Sequence, residues 1–265
     1  MGIPMSIDVR EPTPPEAATA VEAAFAILDA ADRRFSPYRV DSELSRINRG
    51  EDLMKSPEMV EVLGLAEEAR VASGGAFDCH DPNGRLDTNG LVKGWAAQRA
   101  ADALVGAGIR SFCLNAGGDV VVRGAPEPGR RWHVAVRSPV GKDPLAVLAL
   151  QDAAVATSGS YERGDHIWDR RAAPASRPLA SATVVADDLG VADVLATTLF
   201  VLGADGIDWA VATYGCVVLA LDDRGILHTG GDLSPLLARP DPYPPAKKSL
   251  RLYGQADGSP SRSLS

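Results

Sequence analysis

Four short segments carry residues whose types and spacing could do chemistry. In Leu86-Asp87-Thr88-Asn89-Gly90-Leu91-Val92-Lys93-Gly94-Trp95 a glycine turn leads into a helix with a lysine one turn inside. Free N–H groups at a helix start favour an anion, and a lysine adds a point charge. The spacing is not that of a Walker A loop. A capped helix and a phosphate site both fit this segment by itself. In Leu114-Asn115-Ala116-Gly117-Gly118-Asp119-Val120 a strand, a Gly-Gly turn and a second strand read as a hairpin. The same glycines would let a flat ligand lie against bare backbone.

The third segment, Ala156 to Arg163 followed by His166-Ile167-Trp168-Asp169, brings small hydroxyl residues, a histidine and an aspartate outside any clear periodic element. The histidine is either a surface group or a proton carrier working near neutral pH. In the fourth, Val191 to Phe200, Asp193 and Thr197 are four residues apart and share one face of a helix that is otherwise apolar. A buried aspartate is costly without a partner. A hard cation held by carboxylate, hydroxyl and carbonyl oxygens would supply one. The other reading makes Asp193 a helix cap.

Both helical and extended elements must position these segments. Helices are predicted over Glu16–Arg33, Pro57–Ala72, Leu91–Val105, Val191–Leu202 and, shorter, Asp208–Thr213. Ser56 suits the cap of the second, and Pro57 its first turn. Strands are predicted at Ser111–Leu114, Val120–Arg123, Trp132–Arg137, Leu145–Leu150 and Ala182–Ala186, with a hairpin from Cys216–Leu221 to Ile226–His228 around Asp222–Gly225. Helices and strands come in runs, which favours α+β over a doubly wound parallel sheet. From Pro240 to Ser265 prolines, serines and charges dominate, which predicts a disordered tail after a folded unit over 1–239.

Bulk properties narrow the function. The 265 residues are 45% hydrophobic, enough for a sizeable core in one large domain. The net charge of −8, with no basic stripe, argues against a nucleic-acid partner. Cys79, Cys113 and Cys216 are far apart and odd in number, so neither a disulfide framework nor a zinc cluster is expected. The N-terminus lacks a positive region followed by an apolar run, and no stretch reaches the length of a membrane helix. These features predict a cytoplasmic chain with no membrane insertion.

Taken together and in order, the motifs resemble the ApbE family of FAD:protein FMN transferases over about residues 1–221. The resemblance adds Met1-Gly2, Phe35-Ser36-Pro37-Tyr38, Asp41 to Asn48 and Gly75-Ala76-Phe77-Asp78 to the four segments. It implies an α+β fold with a T-fold-like core, a mostly antiparallel sheet packed against helices. It implies Mg2+ held by the Asp193 carboxylate, the Thr197 hydroxyl and backbone oxygens of Gly90 and Ala196. The implied FAD contacts are Met1, Tyr38, Ala76, Phe77, Asp78, Asp87, Lys93 and Trp168. His166 matches the family's proposed catalytic histidine, with Asp193 as the second catalytic residue. The implied reaction cleaves the FAD pyrophosphate, moves FMN onto a serine or threonine of an acceptor protein bearing a flavinylation motif, and releases AMP. An FAD pyrophosphatase and a non-catalytic flavin-binding protein are the alternatives. The sequence departs from the family at Gln98, where an acidic residue is usual, and at Arg170 to Ala173, where Pro and Thr-Gly are usual.

Overall fold

The computed structural model describes residues 3–10, 15–159, 175, 178–238, 250–254 and 261–264. The chain opens with strand β1 (Met5–Val9) and helices α1 (Pro15–Phe35), α2 (Glu43–Asn48), α3 (Pro57–Ala72) and α4 (Asn89–Gly106). Strands β2 (Phe112–Ala116), β3 (Asp119–Arg123), β4 (Trp132–Arg137), β5 (Pro144–Leu150), β6 (Ala153–Gly159) and β7 (Leu179–Ala186) follow. Then come α5 (Leu189–Leu202), α6 (Ile207–Tyr214), β8 (Val217–Asp222), β9 (Leu227–Gly230), β10 (Leu250–Gly254) and β11 (Ser261–Leu264).

Among the described residues, nine strands form one sheet in the order β11-β10-β1-β2-β3-β6-β7-β8-β9, and β4 with β5 makes a separate hairpin. Each pairing in both sheets is antiparallel. The fold is therefore α+β with a mostly antiparallel sheet, as the runs of like elements predict.

Side-chain alternation divides the central strands between two cores. Val121, Ala154, Ala156, Ala182 and Val184 join α1, α4 and α5 in the larger core. Val120, Val122, Val155, Val185 and Leu219 point the other way, onto Trp132, Val136, Leu148 and Leu150 of the β4–β5 hairpin. The middle of the sheet is thus covered on both faces, which explains the near-continuous apolar runs of β3 and β7.

The predicted helices are present, and α3 has the predicted bounds, with the Ser56 side chain accepting from the Met59 N–H. Four elements lie outside the sequence prediction or extend it. Helix α2 is six residues long, capped by Ser42 and anchored by buried Leu44. Tertiary contact holds it, because so short a helix has no stability of its own. The segment from Ala156, read from sequence as irregular, belongs to β6 as far as Gly159. Its small residues carry little β propensity, and pairing with β3 and β7 decides the conformation. Within the stretch expected to be disordered, Leu250–Gly254 pairs with β1 and Ser261–Leu264 pairs with β10.

Candidate functional site

Helices α4 and α5 run side by side over the sheet, and glycine sets how close they come. A Cβ on Gly94 would stand 2.5 Å from the Leu189 carbonyl oxygen and 2.7 Å from Asp193 Cβ. Only a bare backbone fits there. The Gly94 N–H donates to Asp193 Oδ2 at 2.9 Å. One turn further along α4, Gln98 Oε1 accepts from the Leu189 N–H at 2.9 Å and its Nε2 donates to Asp102 Oδ1 at 2.8 Å. Gln98, a departure from the family pattern, satisfies one of the orphan donors at the start of α5. Asp188 satisfies another, accepting from the Val191 N–H at 2.9 Å. Asp188 is therefore the cap, Asp193 lies inside the helix, and the capping reading of Asp193 is overturned.

The charge centre lies where α4, α5 and β3 meet. Lys93 Nζ is 2.7 Å from Asp119 Oδ2 and 3.6 Å from Asp193 Oδ1. Both aspartates are 2% exposed. Asp119 Oδ1 accepts from the Thr157 N–H at 3.0 Å, which ties β3 to β6 beside the lysine. Burial raises the Asp193 carboxyl to about 7, the Asp119 charge pushes the same way, and Lys93 with the Gly94 N–H opposes them. One ammonium thus stands between two buried carboxylates.

Hydroxyls flank this centre. Thr197, one turn after Asp193, has its Oγ1 3.3 Å from Ser158 Oγ. A Cβ on Gly90 would lie 3.3 Å from Thr197 Oγ1 and 3.5 Å from the Phe77 ring. So the turn at 90 abuts Thr197 on the same face of α5 as Asp193. On the opposite face of β6, Thr157 Oγ1 and Thr183 Oγ1 are 2.9 Å apart.

The other predicted residues divide into four groups. Ala76 and Phe77 are buried, and Ala196 is buried within α5. Asp78 and Asp87 stand on a small bridge joining His80 to Leu86. Asp78 Oδ1 accepts from the His80 N–H at 2.9 Å and lies 2.8 Å from its Nδ1, while Asp87 Oδ1 accepts from the Asn89 N–H at 3.0 Å. Tyr38 is 77% exposed, so its ring is available to a ligand and is not core. Met1, His166 and Trp168 lie outside the described residues. The sequence assigned no role to Asp119 or Ser158, although both stand in the segments that drew attention; charge next to a Gly-Gly turn was the available signal.

Among the described residues no three His, Cys, Asp or Glu side chains cluster as metal ligands. Asp193 with the Thr197 hydroxyl one turn on offers donors of another kind, and carboxylate and hydroxyl oxygens suit a hard cation such as magnesium. The buried Asp193 carboxylate and the glycine at 90, which leaves the Thr197 hydroxyl approachable, fit the same group. No helix among the described residues is long and apolar enough to cross a membrane.

Fold and site together define an α+β protein with a buried cluster of Asp119, Lys93 and Asp193 where two helices meet the sheet. The chain belongs to the ApbE family, whose model matches residues 1–80 and 79–219. It is 37% identical over 160 residues to an FAD:protein FMN transferase of Rhodobacter capsulatus, covering 56% of this chain and 30% of that relative. A Vibrio cholerae FAD:protein FMN transferase is 25% identical over 240 residues, covering 68% of this chain and 72% of the relative. The aligned part thus spans well under two thirds of the first relative. Among solved structures, the flavin transferase ApbE from Vibrio cholerae superposes with a TM-score of 0.76 at 23% identity, covering 89% of this chain and 96% of that one. The ApbE protein of Thermotoga maritima gives 0.73 at 23% identity, covering 86% and 94%. At that identity the superpositions establish a shared fold.

Proposed function

We propose that this chain is an FAD:protein FMN transferase, with the catalytic unit in residues 1–239. The observation that carries the reading is the meeting of Asp193, Thr197 and Gly90 across the α4–α5 contact, beside Lys93. Family membership and the names of the relatives support the same reading.

Magnesium would be held by the Asp193 carboxylate, the Thr197 hydroxyl and the Gly90 and Ala196 carbonyls. When bound, it would offset charge developing on the diphosphate oxygens. The chain's own groups do the rest. The positive end of the α4 helix dipole attracts the diphosphate. Lys93 adds positive charge behind that helix start, held between Asp119 and Asp193. Phe77, packed against the Gly90 turn, shapes the wall, and Ala76 and Asp78 flank it. Tyr38 offers an exposed aromatic face to a flat ring system. Asp87, with Met1 and Trp168, completes the proposed FAD contacts.

The acceptor's serine or threonine oxygen forms a bond to the flavin-side phosphorus, the pyrophosphate P–O bond breaks, and AMP leaves. His166 is the group assigned to take the hydroxyl proton. FMN remains on the acceptor as a phosphoester. Cys79, Cys113 and Cys216 form no disulfide with one another, which suits a reducing compartment, and we place the activity in the cytoplasm.

The test uses the full chain with FAD, magnesium and a peptide carrying an Asp-x-x-[Ser/Gly]-Ala-Thr acceptor sequence. Mass spectrometry should find an FMN-sized gain on the peptide, with one AMP per transfer. AMP without that gain would make the protein a hydrolase. Asp193→Ala should abolish both products; undiminished turnover in that variant would remove the metal assignment.

A further inference from the structure

Two successive threonines of α5 use their hydroxyls differently. Thr198 Oγ1 donates to the Val194 carbonyl at 2.7 Å, the bond a helical threonine makes to its own preceding turn. Thr197 instead faces the sheet, where its Oγ1 lies 3.3 Å from Ser158 Oγ. The Gly90 turn stands against the same side chain, since a Cβ there would be 3.3 Å from both the methyl and the hydroxyl of Thr197.

Ser158 reaches Thr197 because of where it falls in β6. Alternation along the strand sends Ala154, Ala156 and Ser158 to one face and Thr157 to the other, where its Oγ1 meets Thr183 Oγ1 at 2.9 Å. Pairing of Ser158 with Ala182 of β7 fixes the backbone, and the side chain is buried at 8% exposure. A hydroxyl with so little access to water needs a partner within the protein.

A hydroxyl has one hydrogen and two acceptor lone pairs. When an oxygen lone pair is given to a cation, the hydrogen must point elsewhere and find an acceptor. We propose that Ser158 is a positioning residue whose oxygen accepts the Thr197 hydrogen and so turns a Thr197 lone pair toward the divalent cation at Asp193. The inference rests on the proposed metal site and assigns a function to a residue outside its ligand set. A separation of 3.3 Å is long for two hydroxyls. A cation-bound hydroxyl is a stronger donor than a free one, so the contact tightens when the site is filled. Without Ser158, the carbonyl one turn back on α5 competes for the Thr197 hydrogen, as Val194's does for that of Thr198.

The experiment is a Mn2+ titration of the full-length protein without FAD, read by the electron paramagnetic resonance of free Mn2+. Thermal unfolding of each variant runs in parallel. Ser158→Ala should bind Mn2+ about 10- to 100-fold more weakly than the unsubstituted protein, the range for residues that orient a metal's ligands. S158T, which restores a hydroxyl, should recover most of that loss. S158V, which has the shape of that variant without the hydroxyl, should not. Thr197→Val removes the group through which Ser158 acts, so the double variant S158A/T197V should bind no more weakly than T197V. Unchanged affinity in S158A, equal affinities in S158T and S158V, or a double variant weaker than T197V would overturn the proposal while leaving the metal site standing. Asp193→Ala separates the two failures: if that variant binds Mn2+ as well as the unsubstituted protein, the metal site itself is wrong and the proposal goes with it.

Discussion

Gly94 and Asp193, ninety-nine residues apart in the chain, are joined by a hydrogen bond of 2.9 Å from the Gly94 N–H to Asp193 Oδ2. The bond exists because residue 94 has no side chain. It fixes both the distance between α4 and α5 and the direction in which the buried carboxylate points.

Substitution of that glycine should therefore be costly twice. In Gly94→Ala the new methyl would meet the Leu189 carbonyl at 2.5 Å and Asp193 Cβ at 2.7 Å, neither of them a flexible side-chain end. We expect a loss of about 1–3 kcal/mol in urea unfolding, the usual cost of overpacking, and a fall in FMN transfer beyond what unfolding explains. Gly64→Ala on α3 is the control. Nothing lies within 4 Å of its added Cβ, so it should stabilise by about 0.5–1 kcal/mol through helix propensity. Equal effects at the two positions would show that the close approach at 94 is unimportant.

Gln98 stands where an acidic residue is usual in the family, and it makes two bonds that a carboxylate could not both make. Gln98→Leu leaves the Leu189 N–H and Asp102 without their partners. The expected loss is about 1–3 kcal/mol for the unsatisfied buried donor. Gln98→Glu keeps an acceptor for Leu189 but sets a second carboxylate against Asp102. Its destabilisation should shrink as the pH is lowered and the carboxylates protonate. Denaturation midpoints at two pH values decide the point.

The raised carboxyl of Asp193 has a consequence for stability in chelator-treated protein. Burial lifts it to about 7, whereas an unfolded aspartate titrates near ~3.9. Between those values the native state holds a proton that the unfolded chain has released, so native stability falls as pH rises. The contribution is complete below the unfolded value and is lost as pH climbs through the folded one. The thermal midpoint of the metal-free protein should therefore drop relative to Asp193→Asn between about pH 5 and about pH 8. Added magnesium should restore it at the higher pH and do little at the lower, because the ligand must be deprotonated. Parallel pH curves for the two proteins would contradict this.

Burial also makes Cys79 inert. Its thiol is pushed up to about 12 by desolvation, with the charges of Asp87 and then Asp78 adding to the rise. Burial moves the Cys216 thiol in the same direction. Neither should react with iodoacetamide in the native protein at about neutral pH, and both should label once it is denatured. Rapid native labelling of Cys79, detected by peptide mass, would show that the segment between α3 and α4 opens.

Much of the site was legible in the sequence because its parts are local. Asp193 and Thr197 face one way because a helix repeats every turn, and Gly90 precedes Lys93 by the spacing of a helix start. Hydrophobic periodicity and cap residues were enough to place α3, α5 and β4 within a residue or two. What could not be read was anything resting on contacts between distant segments. β6 is a strand because β3 and β7 flank it, not because Ala156-Thr157-Ser158 favours extension. Asp188, not Asp193, caps α5, a choice settled by one backbone angle and one hydrogen bond.

The sequence by itself determined an α+β chain, its helical faces, and an aspartate on an otherwise apolar face. Only the tertiary structure decided which cation stands beside that acid within the chain. Lys93 is shared between Asp193 on a neighbouring helix and Asp119 on the sheet below. The physical reason is range: propensity and periodicity act over a few residues, while the energy of a buried charge depends on whatever the fold sets within a few ångströms of it.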